Sequence, residues 1–211
     1  MWIHERATWP RFIWDANAIG PVLADVCHRQ GLLLGRMGAL GFDLRQEAGL
    51  ETLTQDVVRS AAIEGEQFAP EDVRSSIARR LGLDVGGTEP ASRDVEGMVE
   101  VLLDATGNVA APLTAERLFS WHAALFPTGR SGMQRIAVGA WRAGPMDVVS
   151  GPLGREAVHF TAPEPERLGA EMAMFLEGLA KGEQNPVLKA AIAHVWFVTI
   201  HPFDAVSYTH L

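Results

Sequence analysis

Cysteine is almost absent: Cys27 is the only one in 211 residues. A single thiol can form neither an internal disulfide nor a thiolate metal cluster, and the setting that fits is a reducing, cytoplasmic one. Cys27 stands among Val22, Leu23, Val26, Leu32 and Leu33, which predicts a buried packing thiol rather than a reactive one. Basic residues are outnumbered, 18 against 26 acidic, and a formal charge of -8 argues against the broad electropositive face that nucleic acid needs. A local site for a nucleotide stays open, because it needs only a few donors. No apolar run reaches membrane-spanning length, and the opening Met1-Trp2-Ile3-His4-Glu5-Arg6 lacks the order of a signal peptide, so no membrane partner is expected. Glycine-rich loops of the dinucleotide or P-loop type are missing, which removes ordinary dehydrogenases and kinases. The histidines are scattered without zinc-ligand spacing.

What is present is globular: 47% hydrophobic and 21% charged residues, enough for a real core. A tryptophan-rich start (Trp2, Trp9, Trp14) leads into apolar periodicity that predicts a helix over about 17–40. Leu50, Leu53, Val57 and Ala61 predict a second helix over 50–64, stopped by Gly65. Pro70 opens a short third helix to about 81, residues 82–90 form a loop, and further helices are expected over 92–106 and 114–126, the last with Thr114 as N-cap. From 129 to 161 the texture changes to Gly/Pro punctuation around β-prone runs (Val148-Val149 and Val158-His159-Phe160), which predicts a hairpin inserted in a helical protein. Helices over 165–181 and 186–200 follow. The fold class is mainly α with one small β element.

Chemistry concentrates near the end. His201 follows the apolar helix and precedes Pro202, which disfavours a helical His201, so the imidazole should sit at the helix mouth. Helix-terminal carbonyls would raise its pKa unless something opposes them. Taken alone, His201 reads equally as a cap with Phe203 beneath it.

Ile200-His201-Pro202-Phe203 resembles the opening of the Fic family motif, H-P-F-x-[D/E]-G-N-G-R-x-x-R. Ser60-Ala61-Ala62-Ile63-Glu64-Gly65 resembles that family's inhibitory motif, (S/T)-x-x-x-E-(G/N), with Ser60 and Glu64 one helical turn apart. Gly139 to Val149, with Arg142, Val148 and Val149, followed by Val158 to Pro163, resembles the family's β-hairpin flap, which holds a target segment by strand addition. Without the family, the same segment is a surface hairpin with a structural arginine. The tryptophan-rich start resembles a poorly characterised domain found ahead of some Fic domains.

The resemblance implies a Fic-like helical bundle with a flap, and three regions: an N-terminal helical region over 1–110 with the inhibitory helix, a truncated Fic core over 111–205, and a non-native tail over 206–211. It implies AMP transfer from ATP to a Ser, Thr or Tyr hydroxyl of a target protein. His201 would act as base, with support from Pro202, Phe203 and Asp204; Glu64 would be the brake, backed by Ser60 and Gly65. Mg2+ would be held by the motif acid. That position is Ala205 here, and Val206-Ser207-Tyr208-Thr209 replaces Gly-Asn-Gly-Arg, so this chain is expected to be inactive. Alternatives stay open: a non-catalytic interaction module of Fic fold, AMP removal or transfer of another nucleotide, and a helical regulator without a Fic connection. Homo-oligomerisation is left open.

Overall fold

The computed structural model describes residues 1–63, 65–83, 90–131, 134–152, 155–183 and 185–204. Glu64, most of the expected loop at 82–90 and residues 205–211, with Ala205, lie outside the described residues. Among those described, seven α-helices and two antiparallel hairpins make a mainly α fold. None of the helices is long and apolar enough to cross a membrane.

Helix α1 (Ala16–Ala39) begins where the Asp15 carboxylate accepts from the Asn17 and Ala18 N–H groups. It buries none of its residues, and Cys27 is exposed. The expected packing role is therefore corrected: apolar neighbours in sequence bury a thiol only if another element covers the helix. Helix α2 (Phe42–Ile63) starts eight residues earlier than its apolar stripe. Residues 42–49 add little burial, but good helix formers carry the helix back, and Glu47 pairs with Arg74 at 2.8 Å. Its buried stripe is Leu50, Thr54, Val57 and Ala61.

Gly65 (φ +84°) ends α2, and its N–H bonds the Ala62 carbonyl while the Glu66 N–H reaches back to Ala61. These are the paired bonds of a Schellman stop. Helix α3 (Pro70–Arg80) carries proline in its first turn, and α4 (Arg93–Gly107) and α5 (Ala115–Leu125) are capped by Ser92 and Thr114. The α4–α5 crossing is close at Gly97, where an added β-carbon would lie 1.9 Å from the Ala124 carbonyl oxygen. Asn108, Arg117 and Trp121 all donate to Asp104 beside that crossing, holding its carboxyl down at about 2.

Strands β1 (Arg130–Ser131) and β2 (Gln134–Arg135) form a minimal hairpin, and β3 (Asp147–Ser150) pairs with β4 (Ala157–Thr161) as the flap. Asp147 faces Thr161 and Val148 faces Phe160, with a bulge before Val149. The next segment begins with a 3-10 turn, Pro165–Arg167, that passes into α6 (Leu168–Lys181), and α7 (Pro186–Ile200) starts at the Asn185 cap.

Two apolar clusters hold these pieces. One joins α2, α3 and α4 through Leu50, Val57, Val73, Ile77, Val95 and Val99. The other joins α5, α6 and α7 through Leu118, Leu168, Met172, Phe175, Trp196 and Ile200, with Trp9 and Phe12 packed against it. The tryptophan-rich start thus belongs to the packing of the later helices.

Candidate active site

His201 leaves α7 in the left-handed conformation, φ 50° and ψ 61°, while its N–H still bonds the Phe197 carbonyl at 3.0 Å. With a β-carbon that conformation costs about 1–2 kcal/mol, so its surroundings must hold it. Arg142 does so. Its Nε donates to the His201 carbonyl at 2.7 Å, Nη1 to Gly144 at 2.7 Å, and Nη2 to Pro163 at 2.5 Å and to Ile200 at 3.5 Å. Its own N–H bonds the Pro202 carbonyl at 2.9 Å. Arg142 is only 2% exposed. Its side-chain donors all turn to backbone carbonyls, the arrangement of the structural arginine that the segment reads as without the family. Val148 remains exposed and Val149 is half-buried.

The His201 imidazole is half-buried, and burial lowers its pKa below the ordinary 6.5. The Val198 carbonyl pulls the other way, and the Arg142 charge adds to the lowering. Burial outweighs the carbonyl, so the neutral ring is favoured.

Phe203 packs inward, stacked on His122 at 4.4 Å between centroids and 17° between planes, and touching Trp141 and Phe197. Pro202 is buried. The Asp204 carboxylate accepts from the Ala137 N–H at 2.9 Å, which ties the loop to the segment between β2 and the flap.

His122 was missed as a site residue. It is 5% exposed, and its Nδ1 accepts from the Gly139 N–H at 3.3 Å, at the flap's entry, where Gly139 has φ +68°. Burial lowers its pKa, against the pull of the Asp204 carbonyl and charge. Among the described residues Nε2 has no hydrogen-bond partner. The available signal was its place four residues after Leu118, on the buried stripe of α5.

Ser60 is exposed on the last turns of α2 and Gly65 follows at the Schellman stop, so the segment that resembles the inhibitory motif has a defined helix end. The glutamate between them, Glu64, falls outside the described residues, and so does its distance from His201. Among the described residues no three His, Cys, Asp or Glu side chains gather as a metal site. The Asp204 carboxylate has one oxygen already engaged by the Ala137 N–H. The described residues and the sequence Val206-Ser207-Tyr208-Thr209 thus do not fit a magnesium triphosphate, which needs a motif acid and several anion donors.

Residues 112–205, from the loop before α5 to the end of the His201 loop, match a known family. The match is to the Fic/DOC family. Residues 2–83 match a domain of unknown function, DUF4172. Among solved structures the chain is similar to the crystal structure of a Fic family protein from Desulfovibrio desulfuricans G20, with a TM-score of 0.54 and 22% identity. That similarity covers 93% of this chain and 55% of the other, so the chain spans little more than half of that structure. No curated protein matches. At this identity the likeness is one of Fic fold, and it runs through both the N-terminal helices and the Fic/DOC region.

Proposed function

We propose that this fold serves protein AMPylation: transfer of AMP from ATP to a Ser, Thr or Tyr hydroxyl of a target protein, with His201 as general base and Glu64 as brake. The observation that carries the reading is the half-buried His201 imidazole, set at a helix end that Arg142 locks to the base of the flap. In the reaction the target hydroxyl gives its proton to the free nitrogen of His201. Its oxygen bonds to the α-phosphorus, and the bond to pyrophosphate breaks. Mg2+, when bound in a protein with the full motif, would offset the phosphate charge; no step by the residues of this chain depends on it.

The departures at 205–209 support a second reading for these 211 residues as they stand. Without glycines for backbone donors or arginines for charge, they grip ATP weakly, and the flap is left as a module for binding an extended partner strand. Both readings meet in one experiment with α-labelled ATP, followed by intact mass. A version with the full H-P-F-x-[D/E]-G-N-G-R-x-x-R motif should gain a mass of one AMP on itself or a target, and His201→Ala should abolish it. The unaltered chain should gain none. Loss of a phosphate-linked mass from a modified target would instead indicate AMP removal, and transfer unaffected by His201→Ala would refute the role of the base.

A further inference from the structure

The segment Trp2–Phe12 is anchored at two ends. At the rear, the Trp9 indole donates to Glu171 Oε2 at 2.8 Å, and Arg167 bonds the other oxygen of that carboxylate. Glu171 is 1% exposed, so both bonds serve a buried charge. The rings of Trp9 and Phe12 meet Trp196 of α7 at 6.2 and 5.8 Å. At the front, His4 is 6% exposed and its Nε2 lies 2.7 Å from the Thr161 carbonyl. A carbonyl can only accept, so Nε2 is the protonated nitrogen. Trp2 and His4 both set their ring edges against Phe160, at 5.5 and 5.8 Å. Phe160 and Thr161 both belong to strand β4 of the flap.

The register shows what the front anchor occupies. The Ala162 N–H bonds the Met146 carbonyl at 2.9 Å, so the next pair, Asp147 and Thr161, turns its backbone groups away from the hairpin. His4 therefore sits on the outer edge of β4, in the place a further strand would take. The outer edge of β3, where Asp147 turns outward, pairs with no strand among the described residues.

We propose that this segment is a latch for the flap, with His4 as its positioning residue: the rear anchor fixes the segment to α6 and α7, and His4 and Trp2 carry that fixed position to β4. This assigns a task to the front of the region matched by the domain of unknown function. Its consequence for target docking rests on the AMPylation reading; the latch itself does not. A fixed β4 also leaves β3 as the open edge, which gives an incoming segment one side to pair with.

Amide hydrogen exchange of the whole chain, without nucleotide or target, tests the latch. In His4→Ala the amides of 157–161 should exchange about fivefold faster, the loss of about one ordinary hydrogen bond. Amides of 95–99 in the first apolar cluster should keep their rates. His4→Gln, whose side-chain amide can donate to the same carbonyl, should recover most of the protection. Unchanged rates at 157–161 in His4→Ala would overturn the proposal, and so would equal acceleration at both places, which would make His4 a residue of general stability. Because no transfer is measured, failure of the AMPylation reading would leave these rates as they are.

Discussion

Replacing Arg142 by methionine should unfold the end of α7 and the base of the flap together. The side chain keeps much of the volume, so the lost interactions are the bonds to the carbonyls of Gly144, Pro163, Ile200 and His201. A hydrogen bond from a charged donor is worth about 1.5–3 kcal/mol, and an orphaned buried carbonyl costs about 1–3 kcal/mol. Against this, methionine removes the cost of burying a guanidinium, which is several kcal/mol. The net loss should be about 3–5 kcal/mol, as for other broken buried networks. Arg142→Lys keeps the charge but offers one ammonium where a planar fork spans several carbonyls, and should lose about 2 kcal/mol. Urea unfolding followed by tryptophan fluorescence reads both losses. A loss under about 1 kcal/mol for methionine, or lysine as stable as arginine, would refute the claim that this fork holds the left-handed His201 in place.

Gly97→Ala should cost about 1–3 kcal/mol in the same assay, because a β-carbon 1.9 Å from the Ala124 carbonyl forces α4 and α5 apart; Gly107→Ala, with open space around it, is the control. His122 and His201 both have folded-state pKa values below 6.5, so on acidification the unfolded chain takes up protons first. Their contribution to stability is complete above about pH 6.5 and is lost as pH falls through the folded-state values. His122→Phe, which can keep the stack on Phe203, should therefore flatten the fall in urea midpoint between about pH 7 and about pH 5; an unchanged slope would show that His122 is not coupled to folding. In a protein with the complete motif, Glu64→Gly should raise AMP transfer and the added His201→Ala should remove the gain. A fall in transfer in proportion to lost folded protein would make Glu64 a structural residue.

Most of the helices were legible because their signals are local. Pro186 starts α7, Pro202 stops it, and Gly65 stops α2, each through backbone conformation that neighbouring residues decide. The start of α2 was not, since residues 42–49 are held by helix propensity and the Glu47–Arg74 pair rather than by an apolar stripe. The fate of Cys27 was not legible either, because exposure of α1 depends on which elements reach it. At the site, the Fic-like segment around His201 was readable as a motif. His4, His122 and the partners of Arg142 were not, because each acts across a long separation: on Thr161, on Gly139 and Phe203, and on Pro163 and His201.

The direction of the His201 shift shows how such a separation changes chemistry as well as packing. The carbonyls at the end of a helix favour a protonated imidazole, and from sequence that was the only electrostatic influence in view. In the fold, the carbonyls of Ile200 and His201 at that end accept from Arg142. The guanidinium answers the negative end of the helix dipole and places a positive charge near the ring, so both the dipole's benefit and the room for a second cation diminish. Burial then decides the sign, and the pKa moves down. One arginine from the flap thus holds the left-handed turn and favours the unprotonated form of the histidine, which is the form a base requires at neutral pH.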